Sequence, residues 1–348
     1  MPSLPDECLA IPKGSTILVT GVNGFIGSHV ANELLQYGYH VRGTVRDVSK
    51  SAWTKHLFDK QYGENKFTLF PVVDLTLPDA FTEAVKGVFA VVHVASPLSW
   101  GSDAIDMVAN AVAGAMNTLK AANAHPSVKR FVLTSSSVAA SFPCPEQEGR
   151  VVMKDSWNDE AVKMSQDLSS PAQWYATYAA SKTQAEKAVW EFYHKDQTCR
   201  PDLVVNTVLP STNFGKSLDP VNQGHQSTSS FLLSLWNGTD LERLMSIPPQ
   251  YFVDVQDTAR LHVAATILPG VQDERIFAWA EPWNFNALLA ILRHQNPGKT
   301  FIDDFQSAQD MSDVAKPRAR SVQLLTVLGK SGFTSLADSI RGNTEDLV

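Results

Sequence analysis

Tyr178 and Lys182 have the types and the spacing that acid–base chemistry requires. They stand four positions apart in an alanine-rich segment, so a helix there would place both side chains on one face, one turn apart. A nearby ammonium favours the ionised form of a phenol, and the spacing therefore predicts a pKa for Tyr178 below its usual value of ~10. Such a phenol can exchange a proton with a reacting oxygen. On an exposed helix the same pair would be an ordinary tyrosine and a solvated lysine.

Three consecutive serines form a second set, in the run Thr134-Ser135-Ser136-Ser137. They directly follow the predicted strand 130–134. Hydroxyl groups at the carboxyl edge of a parallel sheet lie where ligands bind and could donate to a carbonyl oxygen. A serine run after a strand is otherwise only a loop.

Three glycines at a spacing of three follow the first predicted strand, in the stretch Gly21-Val22-Asn23-Gly24-Phe25-Ile26-Gly27. Glycines permit a tight turn, close approach of a pyrophosphate and close packing of helix on sheet, and the helix N-terminus offers N–H donors to phosphate. Because the stretch lies between a strand and a helix, it predicts a dinucleotide site that includes Asn23, Phe25 and Ile26.

The end of the second predicted strand bears on which dinucleotide binds. Arg46 follows that strand, where an arginine accommodates the 2′-phosphate of NADP, whereas an acidic residue would bind the ribose hydroxyls of NAD. The sequence thus favours NADP, although Asp47 comes next and the two could form an ordinary surface pair.

Further cofactor contacts are predicted after later strands. Asp74, followed by Leu75, could accept a hydrogen bond from the adenine amine, although aspartate is also a common turn residue. Ala95 is small enough for the cofactor to cross the sheet edge closely. The predicted cofactor site is completed by Pro210 and Thr212.

Short apolar runs alternate with helix-sized segments over the first 210 residues. The predicted strands are 16–20, 40–45, 67–73, 89–95, 130–134 and 203–209, and the predicted helices include 25–37, 103–124 and 174–194. This alternation predicts an α/β fold, a doubly wound parallel sheet of Rossmann type. We expect residues 1–210 with about 251–280 to bind NADP, and about 211–250 with 281–348 to form a smaller C-terminal substrate-binding lobe.

Composition excludes several classes of protein. The chain has 348 residues, 44% hydrophobic and 19% charged, with a net charge of −7, which argues against disorder and against a nucleic-acid partner. Three scattered cysteines predict neither a disulfide framework nor a metal site. No apolar run is long enough for a membrane span, and the first residues do not resemble a signal peptide. We expect a cytoplasmic protein, monomeric or homodimeric.

The glycine turn, the serine run and Tyr178-Ala-Ala-Ser-Lys182 together resemble the extended short-chain dehydrogenase/reductases. Within that group, Val41-Arg-Gly-Thr-Val-Arg46, the stretch Lys129 to Ser136, and Pro248-Pro-Gln-Tyr251 are similar to fungal NADPH-dependent aldehyde and carbonyl reductases, which in turn resemble dihydroflavonol reductases.

The resemblance implies NADPH as cofactor and reduction of a carbonyl compound. It implies that Ser136 holds the carbonyl oxygen, that Tyr178 protonates it, and that Lys182 lowers the pKa of Tyr178 and binds the nicotinamide ribose. Ser135 or Ser137 would replace Ser136 if the loop were shifted. The family also uses a helix asparagine in its proton relay, for which Asn110 and Asn117 are both candidates.

The predicted substrate is a hydrophobic aldehyde or ketone. We expect the pocket to be lined by residues that follow the strands and by residues of the second lobe. The resemblance adds Gln250 as a polar contact. The apolar candidates, each of which could equally belong to the core, are Pro97, Leu98, Trp100, Phe142, Trp174, Phe214 and Phe231. Sugar-nucleotide epimerases are disfavoured because Ser137-Val-Ala-Ala-Ser141 replaces their Val-Tyr-Gly. Two alternatives stay open: oxidation of a secondary alcohol such as a hydroxysteroid, and a non-catalytic cofactor sensor.

Overall fold

The computed structural model describes residues 5–96, 104–145, 149–167 and 173–348. Its strands are β1 (Thr16–Thr20), β2 (His40–Val45), β3 (Phe67–Pro71), β4 (Ala90–His93), β5 (Arg130–Thr134), β6 (Val204–Pro210), β7 (Thr212–Phe214), β8 (Gln250–Asp254), β9 (Glu274–Ala278) and β10 (Glu281–Trp283). Its helices are α1 (Phe25–Gln36), α2 (Ala52–Tyr62), α3 (Ala104–Ala124), α4 (Asp159–Met164), α5 (Gln173–Lys195), α6 (Ser230–Asn237), α7 (Leu241–Met245), α8 (Val255–Ile267), α9 (Phe285–Gln295), α10 (Ala315–Val327) and α11 (Leu336–Thr344).

In the part of the chain that the structure describes, the main sheet has seven strands in the order β3-β2-β1-β4-β5-β6-β9. Every pairing in it is parallel. The strand order reverses direction between β1 and β4, and an α/β sheet binds its ligand in the crevice beyond the carboxyl ends at such a point. The predicted α/β Rossmann fold is confirmed.

The sheet is buried on both faces, which explains the nearly unbroken apolar runs of its strands. Along β1, Ile17 and Val19 contribute to the core beneath α1 and α8, whereas Leu18 contributes to the core beneath α3 and α5. All three side chains are fully buried. The alternation of side chains along a strand thus divides a single apolar run between two hydrophobic cores.

A smaller sheet of order β10-β8-β7 supports the second lobe. The core of this lobe gathers aromatic and aliphatic side chains from α6, α9 and α11 around Phe252 and Trp283. Since β8 pairs with β7 and β10, the expected domain boundary near 251 falls inside a strand of the small sheet.

Most predicted elements are present with shifted ends. The third and fourth strands are shorter than predicted, ending at Pro71 and His93. Helix α8 begins after Asp254, whose side chain caps it by accepting from the Gln256 N–H. Strand β9 escaped prediction because this edge strand starts with Glu274 and Arg275. Helix α2 and the short strands of the small sheet were also missed, since their few residues carry no clear period.

Among the described residues, no helix is long and apolar enough to cross a membrane. In the same ranges, no group of three or more histidine, cysteine, aspartate or glutamate side chains is arranged to hold a metal ion.

Candidate active site

The structure brings Ser136, Tyr178 and Lys182 together where β5 ends beside α5. The Ser136 hydroxyl lies against the Tyr178 phenol. One turn further along α5, Lys182 Nζ donates to the carbonyl oxygen of Thr134 at 3.3 Å. All three polar groups therefore lie at the carboxyl edge of the central strands, the edge at which a ligand of this fold binds.

The pKa of Tyr178 differs from the sequence-based expectation. Burial raises it, and the hydrogen bond from Ser136 only partly opposes that effect, so the predicted lowering is wrong for the protein without ligands. Burial also lowers the pKa of Lys182 to about 8, against the attraction of Glu186. The low-polarity surroundings disfavour the charged form of both groups. The phenol is consequently held protonated at neutral pH.

The neighbouring serines are placed differently from Ser136. Ser135 Oγ donates to Glu186 Oε2 at 2.7 Å, and Glu186 is fully buried. Ser137 begins a turn of 3₁₀ helix and makes no side-chain hydrogen bond to the described residues. The structure thus places Ser136, rather than Ser135, against Tyr178.

Glu186 is a residue of this site that the sequence analysis missed. Besides Ser135, it accepts hydrogen bonds from Thr207 Oγ1 at 2.7 Å, Trp190 Nε1 at 3.2 Å and Arg275 Nε at 2.8 Å. It lies four residues after Lys182, and that spacing on one helix face was the available signal. The carboxylate ties α5 to the loop that carries the serines.

The glycine turn between β1 and α1 has the geometry of a phosphate cradle. Gly21 has a φ of +68°. A Cβ on Gly27 would lie 2.1 Å from the Gly21 carbonyl oxygen, so a larger residue cannot occupy this position. No side chain caps the N-terminus of α1 at Gly24. The helix therefore presents free N–H donors, among them those of Phe25 and Ile26, towards the crevice.

Two contacts hold this turn in place. Gln223 Nε2, from the second lobe, donates to the carbonyl oxygens of Asn23 at 3.4 Å and Gly24 at 3.1 Å. On the other side, Thr20 Oγ1 accepts from the N–H of Ala95 at 2.9 Å. A Cβ on Gly21 would lie 3.2 Å from Ala95, so the ends of β1 and β4 approach closely at the predicted cofactor crossing.

Arg46 directly follows β2, is exposed, and makes no hydrogen bond or ion pair with the described residues. The alternative of an Arg46–Asp47 pair is not what the structure contains. Asp47 Oδ1 instead accepts from Ser49 N at 2.9 Å and from Lys50 N at 3.1 Å. Lys50, which the sequence analysis did not single out, adds a second exposed cation to this loop.

Asp74 and Leu75 lie in the turn after β3. Asp74 Oδ1 accepts from Thr76 N at 2.8 Å and Thr76 Oγ1 at 2.7 Å, the turn function that the sequence left open. Asn117 donates from its side chain to the carbonyl oxygen of Thr76 at 2.8 Å and so anchors this turn to α3. That structural contact leaves Asn110, half-buried and without a side-chain hydrogen bond to the described residues, as the candidate for the relay.

Pro210 ends β6 and Thr212, which is buried, begins β7. The chain passes here from the main sheet to the small one. Ser211 Oγ secures the passage by donating to the Tyr251 carbonyl oxygen at 2.6 Å. Both predicted cofactor residues therefore lie at the carboxyl edge of the main sheet.

The predicted substrate residues are only partly supported. Phe214 is a correction: it is fully buried against Trp283, with ring centroids 5.3 Å apart, because the short strand β7 turns it into the core of the second lobe. Phe231 packs partly on the same core. Trp174 is 48% exposed at the start of α5, and Gln250, in β8, donates to the Pro248 carbonyl oxygen at 3.3 Å. Pro97, Leu98 and Trp100 lie outside the described residues.

A doubly wound sheet with a glycine turn and a Ser–Tyr–Lys set at its carboxyl edge is the arrangement implied by the resemblance to extended short-chain dehydrogenase/reductases. The profile of the NAD dependent epimerase/dehydratase family matches residues 17–268. The chain belongs to this family, which confirms the predicted resemblance to the extended short-chain dehydrogenase/reductases.

Relatives match over nearly the whole chain. Aldehyde reductase 2 of Sporidiobolus salmonicolor is 40% identical over 334 residues, covering 95% of this chain and 95% of that protein. Ketoreductase adrE of Penicillium rubens is 39% identical over 339 residues, covering 95% and 96%. The structure of Gre2 of Candida albicans in complex with NADPH superimposes with a TM-score of 0.81 at 24% identity, over 96% of this chain and 98% of that one, a likeness that shows the fold.

Proposed function

We propose that this protein is an NADPH-dependent reductase that converts an aldehyde or ketone to the alcohol. The observation that carries the proposal is the placement of the Ser136 hydroxyl against the Tyr178 phenol, with Lys182 one helical turn away. Two hydroxyl groups at one point can hold a carbonyl oxygen, and one of them can protonate it. The names of the relatives support this reaction, since they include an aldehyde reductase and ketoreductases.

The residues present fit a phosphorylated dinucleotide. The cradle between Gly21 and Gly27 leaves no room for side chains, and the start of α1 is uncapped, as pyrophosphate binding requires. Arg46 and Lys50 are exposed cations at the end of β2, where they would hold a 2′-phosphate. A putative NADPH-dependent methylglyoxal reductase of Candida albicans, 30% identical over 82% of this chain, supports the same cofactor. When bound, NADPH supplies a hydride to the carbonyl carbon.

The side chains of the site then act on the carbonyl oxygen. Ser136 and Tyr178 hold this oxygen between two hydroxyl groups, which stabilises the negative charge that develops on it. Because burial keeps the Tyr178 phenol protonated, it is ready to deliver its proton to that oxygen. The Lys182 ammonium then stabilises the phenolate that remains. A protonated phenol in the resting site favours reduction over oxidation of an alcohol.

The proposal extends to the substrate, the two parts of the chain, the compartment and the oligomeric state. The substrate is a hydrophobic small molecule, bound between a cofactor-binding part (1–210 with about 251–280) and a lobe (about 211–250 with 281–348). We place the protein in the cytoplasm, as a monomer or homodimer. No disulfide joins cysteines among the described residues, which supports a reducing compartment.

The test is the oxidation of NADPH and NADH in the presence of aldehydes, α-keto esters, diketones and flavanonols. Tyr178→Phe is expected to lower turnover by about 10²–10⁴-fold, because it removes the proton donor, while NADPH still binds. Tyr193→Phe, at the far end of the same helix, is the matched control and should keep normal rates. Wild-type turnover in Tyr178→Phe would refute the catalytic assignment.

A further inference from the structure

Tyr175 lies one turn before Tyr178 on α5, and its hydroxyl group is buried without a hydrogen-bond partner among the described residues. Its ring packs beside that of Phe142, with centroids 5.6 Å apart. Both belong to a small apolar cluster that also contains Tyr178 and Val138, next to the serine loop. Tyr175 therefore packs beside Tyr178 and the serine loop, and it takes no part in the catalysis or cofactor binding described above.

The unpaired hydroxyl distinguishes Tyr175 from Tyr37, Tyr39, Tyr62 and Tyr251, whose hydroxyl groups hydrogen-bond other described residues. Tyr39 donates to the Ile11 carbonyl oxygen at 2.8 Å, and Tyr251 to that of Ser312 at 2.9 Å. A buried polar group without a partner is costly, so native proteins contain few of them. A phenylalanine would fill the same space without that cost. The hydroxyl at position 175 is thus better explained by a ligand than by folding.

The helix determines where this hydroxyl lies. Residues three apart share one face of a helix and are separated by about 4.5 Å along its axis. Burial raises the pKa of Tyr175, and Tyr178 and the Asp310 carboxylate add to that effect, so the hydroxyl stays protonated. Asp310 Oδ1 already accepts from Cys144 N at 3.1 Å and Ser312 Oγ at 2.7 Å. The protonated Tyr175 hydroxyl remains available as a donor.

Burial of this hydroxyl does not separate it from the substrate. Tyr178 is only partly buried in the same cluster, and a carbonyl compound must reach its phenol for reduction. Any opening that admits the substrate to Tyr178 also reaches the neighbouring turn of α5. The atoms of the substrate that adjoin its reacting carbonyl then face Tyr175.

We propose that Tyr175 donates a hydrogen bond to a second oxygen of the substrate, beside the carbonyl group held by Ser136 and Tyr178. The preferred substrates are then carbonyl compounds with an oxygen acceptor on the adjoining carbon, namely α-keto esters and 1,2-diketones. A ketone of the same size with only hydrocarbon there leaves the hydroxyl unpaired and is disfavoured. The inference rests on the proposed reductase function.

The experiment compares wild type and Tyr175→Phe with a matched pair of substrates, an α-keto ester and a ketone of equal length. We expect kcat/KM for the keto ester to fall about fivefold to tenfold, the effect of one lost neutral hydrogen bond, and kcat/KM for the plain ketone to stay unchanged. The loss should appear in KM rather than in kcat, because the bond forms in the ground state as well as in the transition state. The melting temperature of Tyr175→Phe should equal or exceed that of wild type.

Tyr39→Phe is the matched control. It removes a satisfied buried hydroxyl remote from the site, so it should lower the melting temperature and leave the ratio of the two kcat/KM values intact. An unchanged ratio in Tyr175→Phe would overturn the inference, as would a wild-type preference for the plain ketone. If none of the carbonyl compounds leads the wild-type protein to oxidise NADPH, the reductase proposal itself fails. That result is distinct from an unchanged ratio in Tyr175→Phe.

Discussion

Replacing Glu186 by alanine is expected to destabilise the protein strongly, since Glu186 holds a buried ion pair and three uncharged donors. The Arg275 guanidinium, 8% exposed, donates to its two carboxylate oxygens at 2.8 and 3.1 Å. Removing one partner of a buried ion pair leaves the other charge uncompensated and costs about 3–5 kcal/mol.

The contacts of Arg275 place the expected value at the lower end of that range. After the substitution Arg275 still donates to the Ser156 carbonyl oxygen at 2.6 Å, and its guanidinium still lies 3.8 Å from the centre of the Trp157 ring. We therefore expect a loss of about 3 kcal/mol in the free energy of unfolding. Ser135 loses its acceptor as well, which should loosen the adjoining Ser136 and lower kcat.

The assay is urea unfolding at neutral pH, followed by circular dichroism. The control is Glu191→Ala on the same helix, which breaks an ion pair to Lys195 in which both side chains are at least 70% exposed. Exposed pairs of this kind contribute at most about 1 kcal/mol. If Glu186→Ala costs no more than Glu191→Ala, the argument that this carboxylate organises the serine loop is refuted.

The remaining predictions concern the cofactor and pH. Arg46→Asp is expected to lower the ratio of kcat/KM for NADPH to kcat/KM for NADH by at least about tenfold, because it replaces an exposed cation with a charge that repels phosphate. An unaltered ratio would show that Arg46 does not bind the 2′-phosphate. Between pH 7 and about pH 5, urea unfolding should show a falling free energy, because burial lowers the pKa of three histidines and the unfolded chain then takes up more protons than the folded one. These are His29 (about 4), His93 (about 3) and His262 (about 4). Two carboxyl groups whose pKa is raised by burial, Asp254 (to about 6) and Glu33, oppose the trend but are fewer than the histidines, so a constant or rising free energy would contradict the assignment.

Local patterns predicted much of the fold. The apolar runs that became β1, β2 and β5 have the bounds that the sequence indicated, because strands buried on both faces are marked by continuous apolar residues. The glycine turn was predictable for a similar reason, since its three glycines meet a steric demand within seven consecutive residues. Tyr178 and Lys182 were found because helical spacing is a local property.

The errors arose where long-range contacts decide the outcome. The pKa of Tyr178 depends on how completely other segments bury the phenol, and spacing along α5 carries no such information. Phe214 belongs to a core rather than a pocket because α6, α9 and Trp283 enclose it. The choice among the three serines required Glu186, which is far from them in sequence.

The sequence by itself therefore determined six strands of the main sheet, the helices α1, α3 and α5, the phosphate turn, the family and the main polar side chains, since each depends on residues that are near neighbours in the chain. Tertiary structure decided which serine lies against Tyr178, which ionisation states the site holds, and that the Tyr175 hydroxyl is buried without a partner among the described residues. Those properties depend on burial and on hydrogen-bond partners. Both are set by segments that meet only when the sheet and the second lobe have assembled.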